Sequence, residues 1–355
     1  VESIVRNASS DQTQKSHPKL IEGPRIVVMG CGGAGCNTLN RMARIGIAGA
    51  ELIAVNTDKQ HLTLVHDSVK KLLIGQSVTR GLGAGGFPDV GAKAAEVSRA
   101  SISQALDGSD MLFITAGMGG GTGTGASPIV ADIAKEQGAI VIAMVTYPFR
   151  LERARLNKAD EGIAKLRKIA DTVIIIDNNR LVELVPNLPI EQAFSVADEV
   201  TSRAVKGITE TITTPSLINL DYADVRAIMT QGGVSVISVG EAKGHQRVEE
   251  VVEDTLRNSL LDVDYAGAKA ALIHITGGPD MTLGEANEIG VRLTDSIDAN
   301  ATVIWGARIN PEMEGKIEVI AIMTGVQSPH IKGPMSEKLA SREEDASELG
   351  IQYLK

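Results

Sequence analysis

Apolar residues fall in short blocks through the first half of the chain. Residues 26–29, 51–55, 71–74, 111–115, 139–146 and 172–176 are runs rich in Val, Ile and Leu and read as strands. Helical spacing intervenes, as over 129–137 after Ser127-Pro128. This alternation predicts an α/β fold, a Rossmann-like parallel sheet with helices on both faces. A long amphipathic stretch follows over 189–213, with Ile190, Ala193, Phe194, Ala197, Val200, Ala204, Ile208 and Ile212 at helical spacing. Pro189 suits the first turn, and Thr213-Thr214-Pro215 ends the pattern. At about 36 Å such a helix is long enough to bridge two units. Beyond it, strand candidates at 234–239, 270–276, 302–305 and 317–323 are interleaved with helical segments at 246–258 and 282–296. Thr282 and Glu285 form a capping box at the start of the second segment. The expected layout is a flexible arm (1–22), an α/β domain (23–188), the central helix (189–213), a smaller α/β domain (214–328) and a flexible tail (329–355).

Composition narrows the function classes. With 355 residues, 43% hydrophobic and 22% charged, the chain can build two substantial cores. Aromatics are only 3%, so those cores must be aliphatic and each of the four Phe residues invites a question. The net charge of −9, with no basic block, argues against nucleic acid and anionic membrane surfaces. No run approaches the roughly 20 apolar residues of a membrane span, and no secretory signal is visible. A soluble, cytoplasmic protein without direct membrane insertion is expected. Cys31 and Cys36 share one glycine-rich turn with no second pair, which reads as two reduced thiols and not as a metal site.

The candidate chemistry lies in three glycine-rich loops. Gly30-Cys31-Gly32-Gly33-Ala34-Gly35 follows the first strand and opens a helix, and Asp58 stands about 20 residues on. Alone, this is a dinucleotide fingerprint, and an NAD-dependent oxidoreductase is the rival reading it supports. The second loop, Gly119-Gly120-Gly121-Thr122-Gly123-Thr124-Gly125, follows the fourth strand and lacks the lysine of a P-loop. Its five glycines let successive N–H groups converge on an anion. The anion's charge must then be met by a metal ion or by another chain. A third segment, 80–88, contains Gly81, Gly83, Ala84, Gly85 and Gly86 and is either a further anion contact or a surface loop. Three loops on one sheet edge suit a compact triphosphate better than an extended dinucleotide.

The second loop matches the tubulin signature: a small residue, Gly-Gly-Thr-Gly, a small residue and Gly. The segment Asn219-Leu220-Asp221-Tyr222-Ala223-Asp224 resembles the synergy loop of the tubulin/FtsZ GTPase family. The resemblance runs over about 25–327, and the sequence is similar in texture to archaeal members. It implies a GTP/GDP site with Gly32, Gly33, Ala34, Gly35, Cys36 and Asn37 in the first phosphate loop and Gly119, Gly120, Gly121, Thr122, Gly123 and Thr124 around the phosphates. It further implies contacts from Asp58, Ala84, Gly85 and Gly86, a ribose-binding Glu152, guanine-edge contacts from Asn178 and Asp198, and a base-stacking Phe194. Phe194 could equally be core. A carboxylate at Asp198 can accept from guanine N1–H and the 2-amino group together, which adenine cannot offer.

The same resemblance implies that Asn219, Asp221 and Asp224 act on the nucleotide of the next subunit, the acids polarising the attacking water. Capping a helix start is the alternative role for both acids. Mg²⁺ would offset the phosphate charge, with no protein ligand set of its own visible. The implied protein is a head-to-tail homopolymer forming a cytokinetic ring at mid-cell; the tip at 349–355 reads either as an anchoring peptide for a membrane adaptor or as a disordered tail with no partner. A family member governing cell shape, or regulating a division paralogue, is the nearer rival. Three departures stand out. Glu152-Arg153-Ala154-Arg155 is one residue shorter than the family pattern, leaving Arg155 or Arg153 as the nucleotide partner. Phe87 replaces the usual Asn of the third loop, and Asp177 stands where Pro is usual.

Overall fold

The computed structural model describes residues 23–213, 222–230, 234–257, 265–295 and 297–326. The expected arm, tail and anchoring tip, together with Asn219 and Asp221, lie outside the described residues. All ten strands read from the sequence form, and they join one sheet in the order β3-β2-β1-β4-β5-β6-β7-β10-β8-β9. The first six are β1 (Ile26–Cys31), β2 (Ala50–Asn56), β3 (Lys70–Leu73), β4 (Met111–Gly117), β5 (Ile140–Tyr147) and β6 (Thr172–Asp177). They pair in parallel throughout. Helices cover both faces, so β1 and β6 are buried at every position. Alternation along β1 sends Val27 and Met29 to one core and Ile26 and Val28 to the other.

Strand order reverses between β1 and β4, which makes their carboxyl ends a topological switch point. Both glycine loops begin there. The first runs into helix α1 (Gly32–Ile45). Short helices α2 (Lys59–Thr63) and α3 (Gln76–Thr79), then α4 (Pro88–Glu96) and α5 (Arg99–Leu106), lead to β4. The second loop runs into α6 (Thr122–Glu136), which starts well before the expected 129–137. Pro128 sits inside α6 without ending it, and the Ser127 hydroxyl donates to the Gly123 carbonyl at 2.5 Å within the same turn.

After α7 (Ala154–Ile169) and α8 (Asn178–Leu184) comes the long helix α9 (Ile190–Thr213). Ala204, Val205 and Ile208 share one core with Val28 and Phe113 on the first six strands and with Leu272, Ile320 and Ile322 beyond. The second unit has β7 (Val234–Lys243), β8 (Ala270–Gly277), β9 (Thr302–Ile309) and β10 (Lys316–Thr324), with helices α10 (Tyr222–Met229), α11 (Arg247–Arg257) and α12 (Leu283–Thr294). β10 lies antiparallel to both β7 and β8, while β8 and β9 are parallel. Two parallel pairs, Val173 with Val234 and Ile174 with Ser235, carry the sheet from one unit into the other.

The predicted capping box forms at α12: Glu285 N–H donates to Thr282 Oγ1 at 3.2 Å, and Thr282 N–H to Glu285 Oε2 at 2.8 Å. Glu285 also accepts from Arg247 Nε at 2.7 Å, and the buried Arg247 guanidinium reaches Asp280 as well. These partners hold the Glu285 carboxyl down from 4.5 to about 2. A carboxylate with a depressed folded pKa contributes stability that is full above its ordinary pKa and is lost as pH falls through the folded value. In urea unfolding, Arg247→Met should lower the midpoint at neutral pH and flatten its fall between about pH 5 and about pH 2.

Candidate functional site

The two loops at the switch point pack backbone against backbone. Gly32 has φ +74°, and a Cβ there would lie 2.8 Å from the Gly123 nitrogen. A Cβ on Gly35 would lie 2.3 Å from the Thr115 carbonyl oxygen, and one on Gly123 would lie 2.6 Å from that of Gly117. These glycines are required by close approach. Gly33 and Gly120 differ. A Cβ at Gly33 would meet nothing nearer than His61 Nε2 at 3.8 Å, and one at Gly120 nothing nearer than the Gly117 oxygen at 4.0 Å. The fold does not need glycine at either position, and both line an open cleft. Bare backbone facing a cleft is what an anion held by N–H groups requires.

Thr57 and Thr122 hydroxyls meet at 2.6 Å, tying the end of β2 to the start of α6. Gly83 N–H donates to the Thr57 carbonyl at 3.2 Å, which seats the third loop beside the second. Lys158 Nζ donates to the Gly86 carbonyl at 2.8 Å and stands 5.4 Å from the centre of the Phe87 ring. The departure at Phe87 thus gives Lys158 an aromatic surface at the rim.

The cleft has a volume of about 1050 Å³ and runs from these loops to the α1–α9 crossing. At that far end Asn178 opens α8, with Asp177 capping the helix by accepting from Asn179 N–H at 2.8 Å. That cap is the use made of Asp177 in place of proline. Asn178 is buried, and its Oδ1 has no hydrogen-bond partner although it lines the cleft. A buried acceptor left open marks a place for a ligand donor. Phe194 is 41% exposed and sits edge-on to Phe149, centroids 5.6 Å apart. Asp198, on the same face of α9, accepts from the Thr38 hydroxyl at 2.6 Å. Burial raises its pKa, and Thr38 and the Arg41 charge work against that rise. Glu152 accepts from Phe149 N–H at 3.2 Å and from Arg155 at 2.5 Å.

The cleft lining gathers Gly33, Ala34, Asn37, Asp58, Ala84, Gly86, Gly120, Gly121, Thr122, Gly123, Glu152, Arg155, Asn178, Phe194 and Asp198. Asp58 also caps α2, accepting from His61 N–H at 3.1 Å. Gly32, Gly35, Cys36, Gly85, Gly119 and Thr124 are not part of the lining. Gly32 and Gly35 serve packing, and the Cys36 thiol is buried in the core, its pKa pushed up to about 12 by that burial. Gly119 turns at φ +89° against Arg155, Gly85 turns at φ +60°, and Thr124 is buried within α6. Asp224 lies on α10, away from the cleft. Thr38, Asn40, Arg41, Arg44, His61 and Phe149 also line or floor the cleft and escaped the sequence reading. A signal existed for some of them: Asn37, Arg41 and Arg44 recur at i+4 and i+3 on α1. Among the described residues, no three of His, Cys, Asp and Glu cluster as a metal site.

Loops of bare backbone converging at a switch point, with a buried amide oxygen left open in the same cleft, define a nucleotide-binding α/β protein. Residues 25–186 match the model of the tubulin/FtsZ family GTPase domain, and 233–327 match that of the FtsZ family C-terminal domain. "Cell division protein FtsZ 2" of Methanocaldococcus jannaschii is 63% identical over 335 residues, 93% of this chain and 88% of that protein. The protein of the same name in Halobacterium salinarum is 57% identical over 96% of this chain and 88% of its own length. The solved "FtsZ dimer, empty (M. jannaschii)" superposes with a TM-score of 0.81 at 46% identity, covering 91% of this chain and 92% of that one. The chain belongs to the tubulin/FtsZ family and is a GTPase. The dinucleotide oxidoreductase reading of the first loop is set aside.

The two kinds of glycine separate by mutation. Gly35→Ala should lose about 1–3 kcal/mol of stability, because its Cβ meets fixed backbone. Gly120→Ala should leave the unfolding midpoint unchanged and weaken GDP binding. Thermal melts with and without GDP read both effects.

Proposed function

We propose that this protein binds GTP across the cleft, assembles head to tail into filaments and hydrolyses GTP at each junction, where the next subunit completes the site. In this reading the 23–188 unit carries the nucleotide and the 214–328 unit carries the acids. One observation carries it: the cleft and the acid-bearing helix occupy opposite ends of the sheet. The glycine loops leave the carboxyl ends of β1 and β4. Helix α10 docks at the amino ends, where the Tyr222 hydroxyl donates to the Asp110 carbonyl at 2.8 Å, just before β4. Thr172, first residue of β6, donates to the Met229 carbonyl at 2.6 Å. Val225, Ile228 and Met229 are fully buried beneath. The seven residues of β4 alone span about 23 Å. A single chain therefore keeps Asp224 away from its own phosphates, and a head-to-tail neighbour is the geometry that joins them. Exposed Leu82, Phe87 and Leu151 beside the cleft offer apolar surface for such a neighbour.

In the bound state, loop N–H groups around Gly33 and Gly120–Gly123 would hold the phosphates, joined by Ala84 and Gly86 from the third loop. Glu152 would take the ribose, with Arg155 as the cleft-lining arginine beside it. Phe194 would offer its ring to the base, while Asn178 and Asp198 read the guanine edge. Asp221 and Asp224 of the incoming subunit would position and polarise the attacking water. Mg²⁺, when bound, would offset phosphate charge, and the phosphates and water would supply its ligands. The relatives named as cell-division proteins support a division ring over a cell-shape role. That ring would form at mid-cell, with 329–355 reaching a membrane adaptor.

GTPase rate against protein concentration, with sedimentation in GTP and in GDP, tests the reading. Activity and pelleting should share one threshold concentration. Activity per molecule that is constant from the lowest concentrations, without pellet, overturns it. Asp224→Ala should retain GTP binding and lose turnover by about 10²-fold or more. Normal turnover in that variant would leave Asp224 a structural role in the first turn of α10.

A further inference from the structure

We propose that Thr38 is a positioning residue for guanine selection: its hydroxyl fixes the Asp198 carboxylate in the orientation that accepts two donors from the base. This rests on the guanine-reading role proposed for Asp198. Thr38 lies on α1 and Asp198 on α9, and the side chains meet where the two helices cross at the far end of the cleft. The hydroxyl has two acceptors within reach, the Ala34 carbonyl at 3.2 Å and Asp198 Oδ1 at 2.6 Å. One proton serves one acceptor, and the shorter, charge-assisted bond takes it. Thr38 is itself only 6% exposed, so water does not readily replace it.

The bond occupies one lone pair of Oδ1, and both carboxylate oxygens keep capacity for donors in the cleft. It also removes rotational freedom from the carboxylate, so that the N1–H and 2-amino donors of guanine meet two aligned acceptors. Selection against a base lacking the 2-amino group depends on that alignment, because a rotated carboxylate satisfies one donor only. Arg41, also from α1, is the charged side chain that acts on Asp198. It is held by Glu199, which accepts from Arg41 Nε at 2.6 Å and from Arg203 at 2.9 Å. Asn178, at the start of the neighbouring α8, is neutral. Thr38 is therefore the direct donor to the carboxylate, and Arg41 acts on it as a nearby charge.

Binding of GDP and of inosine diphosphate to the full chain, measured by calorimetry across pH, tests the proposal without turnover or assembly. Thr38→Val should narrow the preference for GDP over inosine diphosphate about tenfold, through loss of one charge-assisted bond. It should also move the acid limb of GDP binding to higher pH. The ionised carboxylate is the form that accepts, and losing a donor raises its pKa further. Thr38→Ser should restore both. A mere pin between α1 and α9 would lower the melting temperature and weaken both nucleotides alike, with the ratio and pH profile unchanged. That result overturns the proposal. If Thr38→Val does not fold, Thr38→Ala carries the same comparison. Asp198→Asn separates the two layers: it should abolish the preference, and a preference retained there overturns the base-reading role itself. A preference lost in Asp198→Asn but intact in Thr38→Val overturns only the role of Thr38.

Discussion

Close approach of bare backbone is the constraint on which the rest of the molecule depends. A phosphate cradle without lysine relies mainly on N–H dipoles, and these must converge from separate segments. Gly32 and Gly123 bring the first and second loops together, and Gly35 settles the first loop onto β4. The third loop is set by the same device, since a Cβ on Gly125 would lie 1.9 Å from the Pro88 oxygen and one on Gly91 2.3 Å from that of Gly121. Three segments are thereby fixed at one strand edge before any ligand arrives, so little ordering is left to oppose binding. The same geometry lets a chain of net charge −9 receive an anion. Its long-range field is unfavourable, but the amino end of α6 is aimed at the site.

Sheet polarity then fixes what the cradle can and cannot do alone. In a parallel sheet every ligand-facing loop lies at one end, and the opposite end is free for another task. Here that end carries α10, anchored through Tyr222 and the Met229 carbonyl. A nucleotide site and an acid separated by the full length of the strands cannot be joined by local motion of a loop. They can be joined by repetition of the subunit along one axis. In that sense the length of β4 is as much a part of the proposed mechanism as any side chain.

Most of the fold was legible because burial on both strand faces leaves uninterrupted apolar runs, which the order of residue types along the chain exposes. The start of α6 was not. Its first turns carry two glycines and a proline, the usual marks of a loop, yet tight packing against α4 makes helix the state that fits. Fold-level demand here outweighs local propensity. At the site, glycine runs and acids stood out by residue type, but their division of labour did not. Nothing local distinguishes Gly35, which packs on Thr115, from Gly120, which is open to the cleft. Thr38 was hidden for a different reason: its partner is 160 residues away. The scarcity of aromatics proved informative, since Phe149 and Phe194 line the cleft and Phe87 stands at its rim, leaving Phe113 alone as fully buried core.

Helix α9 draws these parts into one body. Asp198 turns toward the cleft, while its neighbour Glu199 ties Arg41 of α1 to Arg203. Arg203 in turn reaches Glu241 on β7 and Glu318 on β10, and further along Glu210 pairs with Arg308 on β9. Each of these ion pairs is partly exposed and weak alone. Their arrangement matters more than their sum, because a single element is pinned to the nucleotide end on one side and to three strands of the second unit on the other. The aliphatic core under Ala204, Val205 and Ile208 makes the same join without charge. A shift of α9 along its axis therefore cannot alter the base end of the cleft and leave the second unit where it was.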